Sequence, residues 1–462
     1  VADVRRSQTP ARSSEIAAAR DDLSGAGCEV FEPGTDGYAD STRIWNGAVQ
    51  HEPALVARCL TAHDVQLALS AAQAYELPIS VRAGGHDWIG RSLRDGGLVL
   101  DLSPMRDVSV DVEAAEATVG GGATAMDVCT AIPSPQLSAV TGYAGGAIGM
   151  AGLILGGGYG ALTPRFGLAA DNLISAEVVL AHGQVVTAGE SQTVDLFWAL
   201  RGGGGNFGVV TSMRIRLHET RELVGGLIAF SWADVLPVLR GYAEIMSSAP
   251  EELALTAMMT VMSGSPVIVL APTWCGDRST GLQVLSRLQR LGSPILTKIG
   301  PTTSGEMLAA GEGQLPNGRH YAIQTRWLRD LTPDVMTTLI ASYEGRTSPF
   351  ATVVLHHFHG AGTRIAPDAT AFGMREEHFT ALIYQGWVPS AGANSAVHRA
   401  WASDLNARLA PLALPGGYAN LLGPDAHDQI PEAYGGNARR LRELKRRFDP
   451  KSLFSSAIPL PP

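Results

Sequence analysis

The spacing of hydrophobic positions changes along the chain, and each spacing marks a kind of element. Residues 209–217 place Val209, Thr211, Met213, Ile215 and Leu217 on every second position, the repeat of a strand with one buried face. Residues 79–81, 97–102, 117–119 and 178–186 read as further short strands, the last bent at His182-Gly183. Between them lie helical stretches. One sits near the N-terminus, and another opens with the capping-box pattern Thr61 to Asp64, runs through Ala74 and stops ahead of Pro78. The first 220 or so residues therefore predict an α+β unit.

From about Leu223 the texture shifts to longer alternating runs. Residues 253–262 and 267–271 flank Ser263-Gly264-Ser265-Pro266, the signature of a hairpin between antiparallel strands. Helices open at Thr332-Pro333 and around Ser395, so residues 223–414 predict a sheet covered by helices on one side. The last segment, residues 415–462, holds a loop and a helix over 437–448, which Asp449-Pro450 ends. At 462 residues the chain exceeds one comfortable core, so two domains are expected.

Composition narrows the function classes. With 45% hydrophobic and 17% charged residues the chain is globular, and its 53 glycines imply many close backbone approaches. Thirty-five basic against 44 acidic residues, with no long basic run, argue against nucleic acid as a partner. No apolar stretch approaches the ~18 residues of a membrane span. Residues 1–25 are polar and lack a secretory apolar core, which favours the cytoplasm, although a chain opening with Val1 leaves processing open. Cys28, Cys59, Cys129 and Cys275 form no C-x-x-C pair and read as reduced thiols.

Three glycine-rich segments stand out, at 82–86, 141–160 and 201–208. Each invites a nucleotide, because backbone N–H groups reach a pyrophosphate only where side chains are absent. Residues 203–208 spell G-x-G-x-x-G, yet a strand follows them where a dinucleotide fingerprint requires a helix, so a Rossmann site is rejected. No segment ends in Gly-Lys-Ser/Thr, which excludes a P-loop.

Several motifs occur together and in order. They are Ile44-Trp45-Asn46-Gly47, Val81-Arg82-Ala83-Gly84-Gly85-His86, Leu155-Gly156-Gly157-Gly158-Tyr159-Gly160, Gly167-Leu168-Ala169-Ala170-Asp171-Asn172 and Gly205-Asn206-Phe207-Gly208-Val209-Val210-Thr211. Tyr434-Gly435-Gly436-Asn437 and Phe448-Asp449-Pro450 complete the set. From about Phe31 to the C-terminus this order resembles the vanillyl-alcohol-oxidase and p-cresol-methylhydroxylase (PCMH) superfamily, in its berberine-bridge-enzyme-like branch.

The resemblance implies an α+β fold. A two-lobed FAD-binding domain occupies residues 1–222, with a PCMH-type core over about 48–220. A substrate domain with an antiparallel sheet covered by helices spans 223–414, and residues 415–462 return to the FAD domain. It also implies FAD bonded through the ring of His86. Many relatives add a cysteine tether about a dozen residues before the G-G-G-Y-G run; Gly145 aligns there, so one bond through His86 only is expected. Arg82, Gly84, Gly85, Asp87, Thr141, Gly142, Gly149 and Gly152 are implied around the cofactor, with Val210 and Asn437 on its isoalloxazine or adenine side.

For substrate, the strand holding Leu355, His356, His357, Phe358 and His359 is implied to face the flavin. His357 and His359 share one face and His356 takes the other. His357 and His359 are the expected pocket bases, with Leu355 beside them; two histidines without a cysteine or carboxylate do not suggest a metal. Tyr418, in a Tyr-x-Asn pattern, is the other candidate base, and Tyr143 and Tyr384 are weaker pocket candidates.

The expected activity is removal of a hydride from a carbon bearing O or N in a small alcohol, sugar or amine, with oxygen reoxidising the flavin to give hydrogen peroxide. A flavin-dependent oxygenase or dehydrogenase of secondary metabolism, and a flavin-binding protein without turnover, stay open as alternatives.

Overall fold

The computed structural model describes residues 13–143, 145–389, 395–455, 458 and 460; residues 1–12, part of the polar opening segment, lie outside them. In the first sheet Leu55–Arg58, Leu98–Asp101 and Ile79–Arg82 run parallel, and Glu29–Phe31 closes one edge antiparallel. The parallel crossover is made by helix Ala62–Ala74. It starts where Thr61 Oγ1 accepts from the Asp64 N–H at 3.3 Å and the Asp64 carboxylate accepts from the Thr61 N–H at 2.9 Å.

The second sheet is antiparallel, in the order Val108–Asp111, Glu116–Gly120, Val209–Arg216, Leu173–Val179, Val185–Gly189. Residues 178–186 are therefore not one bent strand. They are the closed end of a hairpin: Gly183, at φ +84°, donates to the Leu180 carbonyl at 2.8 Å, and the chain reverses. A glycine in the left-handed region turns a strand back where an L-residue only bends it.

The third sheet has seven antiparallel strands, in the order Pro294–Thr302, Leu223–Ser231, Ser265–Trp274, Leu253–Met262, Phe350–Phe358, His378–Trp387, His320–Leu328. Ser263 and Gly264 form its central hairpin turn at φ +49° and +81°, the mirror-image turn that matches strand twist. One face is covered by Val235–Met246, Pro333–Glu344 and Ser395–Leu409, whose Leu239, Tyr242, Leu339, Tyr343 and Trp401 pack on Leu255, Leu270, Val353, Leu355 and Ile383. The other face turns Ile323, Val354, Leu382 and Tyr384 toward Trp45 of the N-terminal part.

A buried ion pair ties the sheets together. Arg375, just ahead of His378–Trp387, donates to both carboxylate oxygens of Asp171 at 2.7 and 2.8 Å, with side chains 1% and 4% exposed. Arg375 also donates to Thr370 Oγ1 and the Phe372 carbonyl, so its donors are satisfied. Removing one member of such a pair strands the other's charge.

Two adjacent strands carry three buried imidazoles. Burial pushes His356 and His357 down to about 3 and His378 to about 4, with neighbouring imidazoles adding to the shift at His357. These side chains fold neutral, while the unfolded chain takes up protons below about pH 6.5.

Two outcomes are expected. Arg375→Ala lowers unfolding free energy by about 3–5 kcal/mol, read as the shift of the urea midpoint at unchanged slope. Stability is constant in these groups above pH 6.5 and falls as pH drops toward 4, each imidazole adding a slope of about 1.4 kcal/mol per pH unit. Urea midpoints that stay level from pH 7 to 5 would show the three rings to be hydrated instead.

Candidate active site

Three sheets and a C-terminal loop converge on one cavity of about 330 Å³. Its floor is backbone. A Cβ on Gly84 would lie 2.4 Å from the Gly149 nitrogen, so the turn after Ile79–Arg82 rests on the start of helix Met150–Leu155 with no room for a side chain. Gly85 follows at φ +64° and turns His86 into the cavity.

The His86 ring is held flat. Trp45 stacks on it at 4.6 Å between centroids, Tyr321 stacks on Trp45 at 4.1 Å, and Trp45 Nε1 donates to the Leu315 carbonyl at 2.8 Å. Burial lowers the His86 pKa to about 4, so the imidazole is neutral at pH 7. Beside it the Asp87 carboxylate accepts from the N–H groups of Ile89 and Arg91, while Arg91 donates to the Leu422 carbonyl at 2.6 Å.

In the same cavity Tyr418 Oη accepts from the Gly158 N–H at 3.2 Å and from Asn420 Nδ2 at 3.0 Å. Tyr159 stands edge-on to it at 4.8 Å and shares a hydrogen bond with His378 Nε2 at 3.1 Å. The His378 Nδ1 contact with the Glu376 carbonyl at 2.7 Å requires the proton on Nδ1, so Nε2 accepts from Tyr159. Burial raises Tyr418 to about 12, with the two donors acting against the rise.

A second cavity, of about 610 Å³, opens along the face of the seven-stranded sheet opposite its three covering helices and shares Gly142, Tyr143, Leu315, His356, Leu382 and Tyr384 with the first. The structure brings together His86, Gly84, Gly85, Asp87, Gly142, Gly149, Gly152, Val210, Tyr143, Tyr384 and Tyr418 on the first cavity, and Thr141 on the second.

Six sequence candidates lie elsewhere. Arg82 pairs with the buried Asp101 at 2.8 Å beneath the glycine turn. Gly145 packs against Glu312, and Asn437 Nδ2 donates to the Pro367 and Thr370 carbonyls at 2.7 and 3.0 Å. Leu355 is part of the helix-covered core. His357 meets Glu377 at 3.1 Å and stacks on His359 and Phe379, on the face away from the cavities. The strand presents His356 to the cavities instead, reversing the expected face: alternation fixes which residues share a side, not which side is inward. Among the described residues no group of three or more His, Cys, Asp or Glu side chains is arranged to hold a metal, and no helix is long and apolar enough to cross a membrane.

Besides His356, sequence reasoning assigned no role to Trp45, Tyr159 or Asn420. All three lay within motifs already singled out, and Asn420 was signalled by its spacing from Tyr418.

The cavity suits an elongated ligand with an anionic segment and a flat ring. Bare glycine backbone lines part of it, and its wall also holds a neutral imidazole stacked on an indole. Residues 53–189 match the FAD binding domain family, and residues 417–461 match the berberine and berberine-like family. The chain is 35% identical over 287 residues to (R)-6-hydroxynicotine oxidase of Paenarthrobacter nicotinovorans; the match covers 61% of this chain and 62%, under two thirds, of that protein. It is 27% identical over 441 residues to xylooligosaccharide oxidase of Thermothelomyces thermophilus, covering 89% and 87% of the two chains. The crystal structure of 6-hydroxy-D-nicotine oxidase from Arthrobacter nicotinovorans superposes with a TM-score of 0.84 at 28% identity, covering 94% of this chain and 98% of that one. With its FAD-binding family match around the glycine turn and its berberine-like match around Tyr418, this chain belongs to the berberine-bridge-enzyme-like FAD-linked oxidoreductases.

Proposed function

We infer that the chain is an oxidase that carries FAD covalently through His86 alone and oxidises a carbon bearing oxygen or nitrogen in a small organic substrate. Bound FAD supplies a two-electron acceptor that takes the substrate hydride and passes both electrons to oxygen, giving hydrogen peroxide. The similar proteins named above are oxidases of a hydroxynicotine and of xylooligosaccharides, which supports this class.

Tyr418 is the observation that carries the reading. Its oxygen accepts two hydrogen bonds in the cavity wall, which offset part of the cost that burial puts on the phenolate and leave the hydroxyl proton directed away from both donors. As phenolate it takes the O–H or N–H proton while the hydride leaves the adjacent carbon, so substrate loses two electrons and two protons' worth of hydrogen. Asn420 also donates to the Gly152 carbonyl at 3.3 Å, which fixes Tyr418 relative to the helix on the cavity floor. The neutral His86 ring in the same cavity has a lone pair free to bond carbon, and the stacked Trp45 holds its orientation. Cys129 faces helix Ser304–Glu312 rather than the cavity, which is consistent with a single tether.

The deciding experiment is an anaerobic flavin-reduction screen over alcohols, sugars and amines; no bleaching by any class would sink the oxidase reading. Acid-precipitated wild-type protein should come down yellow, and His86→Ala colourless. Tyr418→Phe should keep its flavin and slow reduction by about 10²–10⁴-fold. Because burial holds Tyr418 near 12, wild-type reduction should accelerate about tenfold per pH unit between 7 and 9, and Tyr418→Phe should lose that slope.

A further inference from the structure

The second cavity differs in chemistry from what either an ammonium substrate or a sugar chain requires. The six residues that join it to the cofactor cavity, Gly142, Tyr143, Leu315, His356, Leu382 and Tyr384, carry no formal charge when the imidazole is neutral. His356 is held by Thr256 Oγ1 at 3.0 Å on Nδ1 and stacks on Tyr143 at 4.1 Å, and burial keeps it unprotonated. A cation brought to this junction needs a carboxylate, since an unpaired buried charge is far more costly than an unpaired dipole. The acidic residues lining the two cavities are Asp87 and Glu306. Asp87 is engaged by two backbone N–H groups and sits beside Arg91, and Glu306 is exposed, capping its own helix by accepting from the Thr303 N–H at 2.9 Å.

A polyol fares no better. Several hydroxyls of the wall are already engaged with other protein groups: Thr256 with His356, Thr352 with Thr260 at 3.2 Å, Thr273 with Met307 Sδ at 3.2 Å and Thr302 with the Glu306 carboxylate at 3.3 Å. The surfaces between them are apolar, from Leu227, Met258, Ile299, Leu308 and Val354. Among the described residues, the hydroxyls of Tyr143 and Tyr384 have no protein hydrogen bond, and His356 keeps Nε2 unengaged. Neutral polar groups thus line the passage between the two cavities, Tyr143 stacked on His356 and Tyr384 paired with Thr352 four residues further along the same strand, and Ser304 Oγ, buried without a partner, also lines the apolar chamber.

We propose that the second cavity selects an uncharged alcohol borne on an apolar ring system, with the carbinol at the Tyr143–His356–Tyr384 junction and the rings in the chamber, and that it rejects ammonium compounds and sugars. This deepens the oxidase reading above and rests on it. Oxidation then takes hydride from the carbinol carbon and the proton from its oxygen, leaving the ketone, with the electrons ending on oxygen as peroxide.

The test uses the flavin-loaded protein at pH 7.5 under nitrogen, titrated with 1-tetralol, 1-aminotetralin or cellobiose, and reads perturbation or bleaching of the flavin spectrum. Half-saturation is expected at a concentration at least about tenfold lower for 1-tetralol than for the other two. His356→Glu should shift the alcohol-to-amine preference by at least tenfold toward the amine, because it supplies the missing carboxylate. Should that variant fail to load flavin, Tyr384→Phe serves in its place, with weaker binding of 1-tetralol and unchanged binding of 1-aminotetralin. Half-saturation by the amine or cellobiose at an equal or lower concentration, or no response to any of the three, overturns the inference. Protein that purifies without flavin would remove the oxidase reading and this inference with it, whereas flavin bleached preferentially by the amine removes this inference alone.

Discussion

Backbone meets backbone where the turn ending at His86 rests on Gly149, and the rest of the site is built around that contact. Neither Gly84 nor Gly149 leaves space for a Cβ, with the would-be atoms 2.4 and 2.6 Å from the facing nitrogen. The contact lets a parallel strand end directly over a helix N-terminus and aims the following imidazole along the cavity. Arg82 supports the turn from beneath through Asp101, which also accepts from the Ser103 N–H and hydroxyl. The arginine of this motif thus braces the turn from below, a placement that its position in the sequence does not reveal.

What could be read from the residues is what local chemistry dictates. The Thr61–Asp64 capping box and the Ser263-Gly264 turn each depend on contacts within four residues, and the expected elements begin and reverse where those residues stand. His182-Gly183 was misjudged for the same reason in reverse: whether a strand bends or folds back depends on the φ that the glycine adopts, and on the five-stranded sheet that receives the returning strand. The strand after G-x-G-x-x-G was legible because its alternation spans a full eight residues, Val209–Arg216.

The histidine cluster shows where such reading stops. Strand Phe350–Phe358 lies between two neighbours in its sheet, with helices behind it and cavities in front, so every residue from Leu355 to His359 is buried. A strand covered on both faces carries no polar–apolar contrast to mark its inward side. The side is set by long-range register: Thr256 lies opposite His356, and its hydroxyl takes up Nδ1 of that ring, while Phe379 receives His357 on the helix side.

The C-terminal segment explains why the glycine loop at 203–208 is so well defined without a Rossmann helix. Asn206 Nδ2 donates to the carbonyls of Gly203 and Ile458, both at 2.9 Å, closing the loop on itself and on the chain end. Lys445 Nζ donates to the Asn206 carbonyl at 2.8 Å, to the Phe454 carbonyl at 3.0 Å and to the buried Asp449 carboxylate at 2.6 Å. Asp449 in turn accepts from the N–H groups of Leu453 and Phe454, so the ammonium and carboxylate are both fully partnered. This network holds Gly204, Gly205 and Gly208 against the cavity that His86 and Tyr418 also line. A pattern that looks like a dinucleotide fingerprint is thus stapled from outside by a lysine and an aspartate some 240 residues later, and its glycines line the cavity through that clamp rather than through a helix N-terminus.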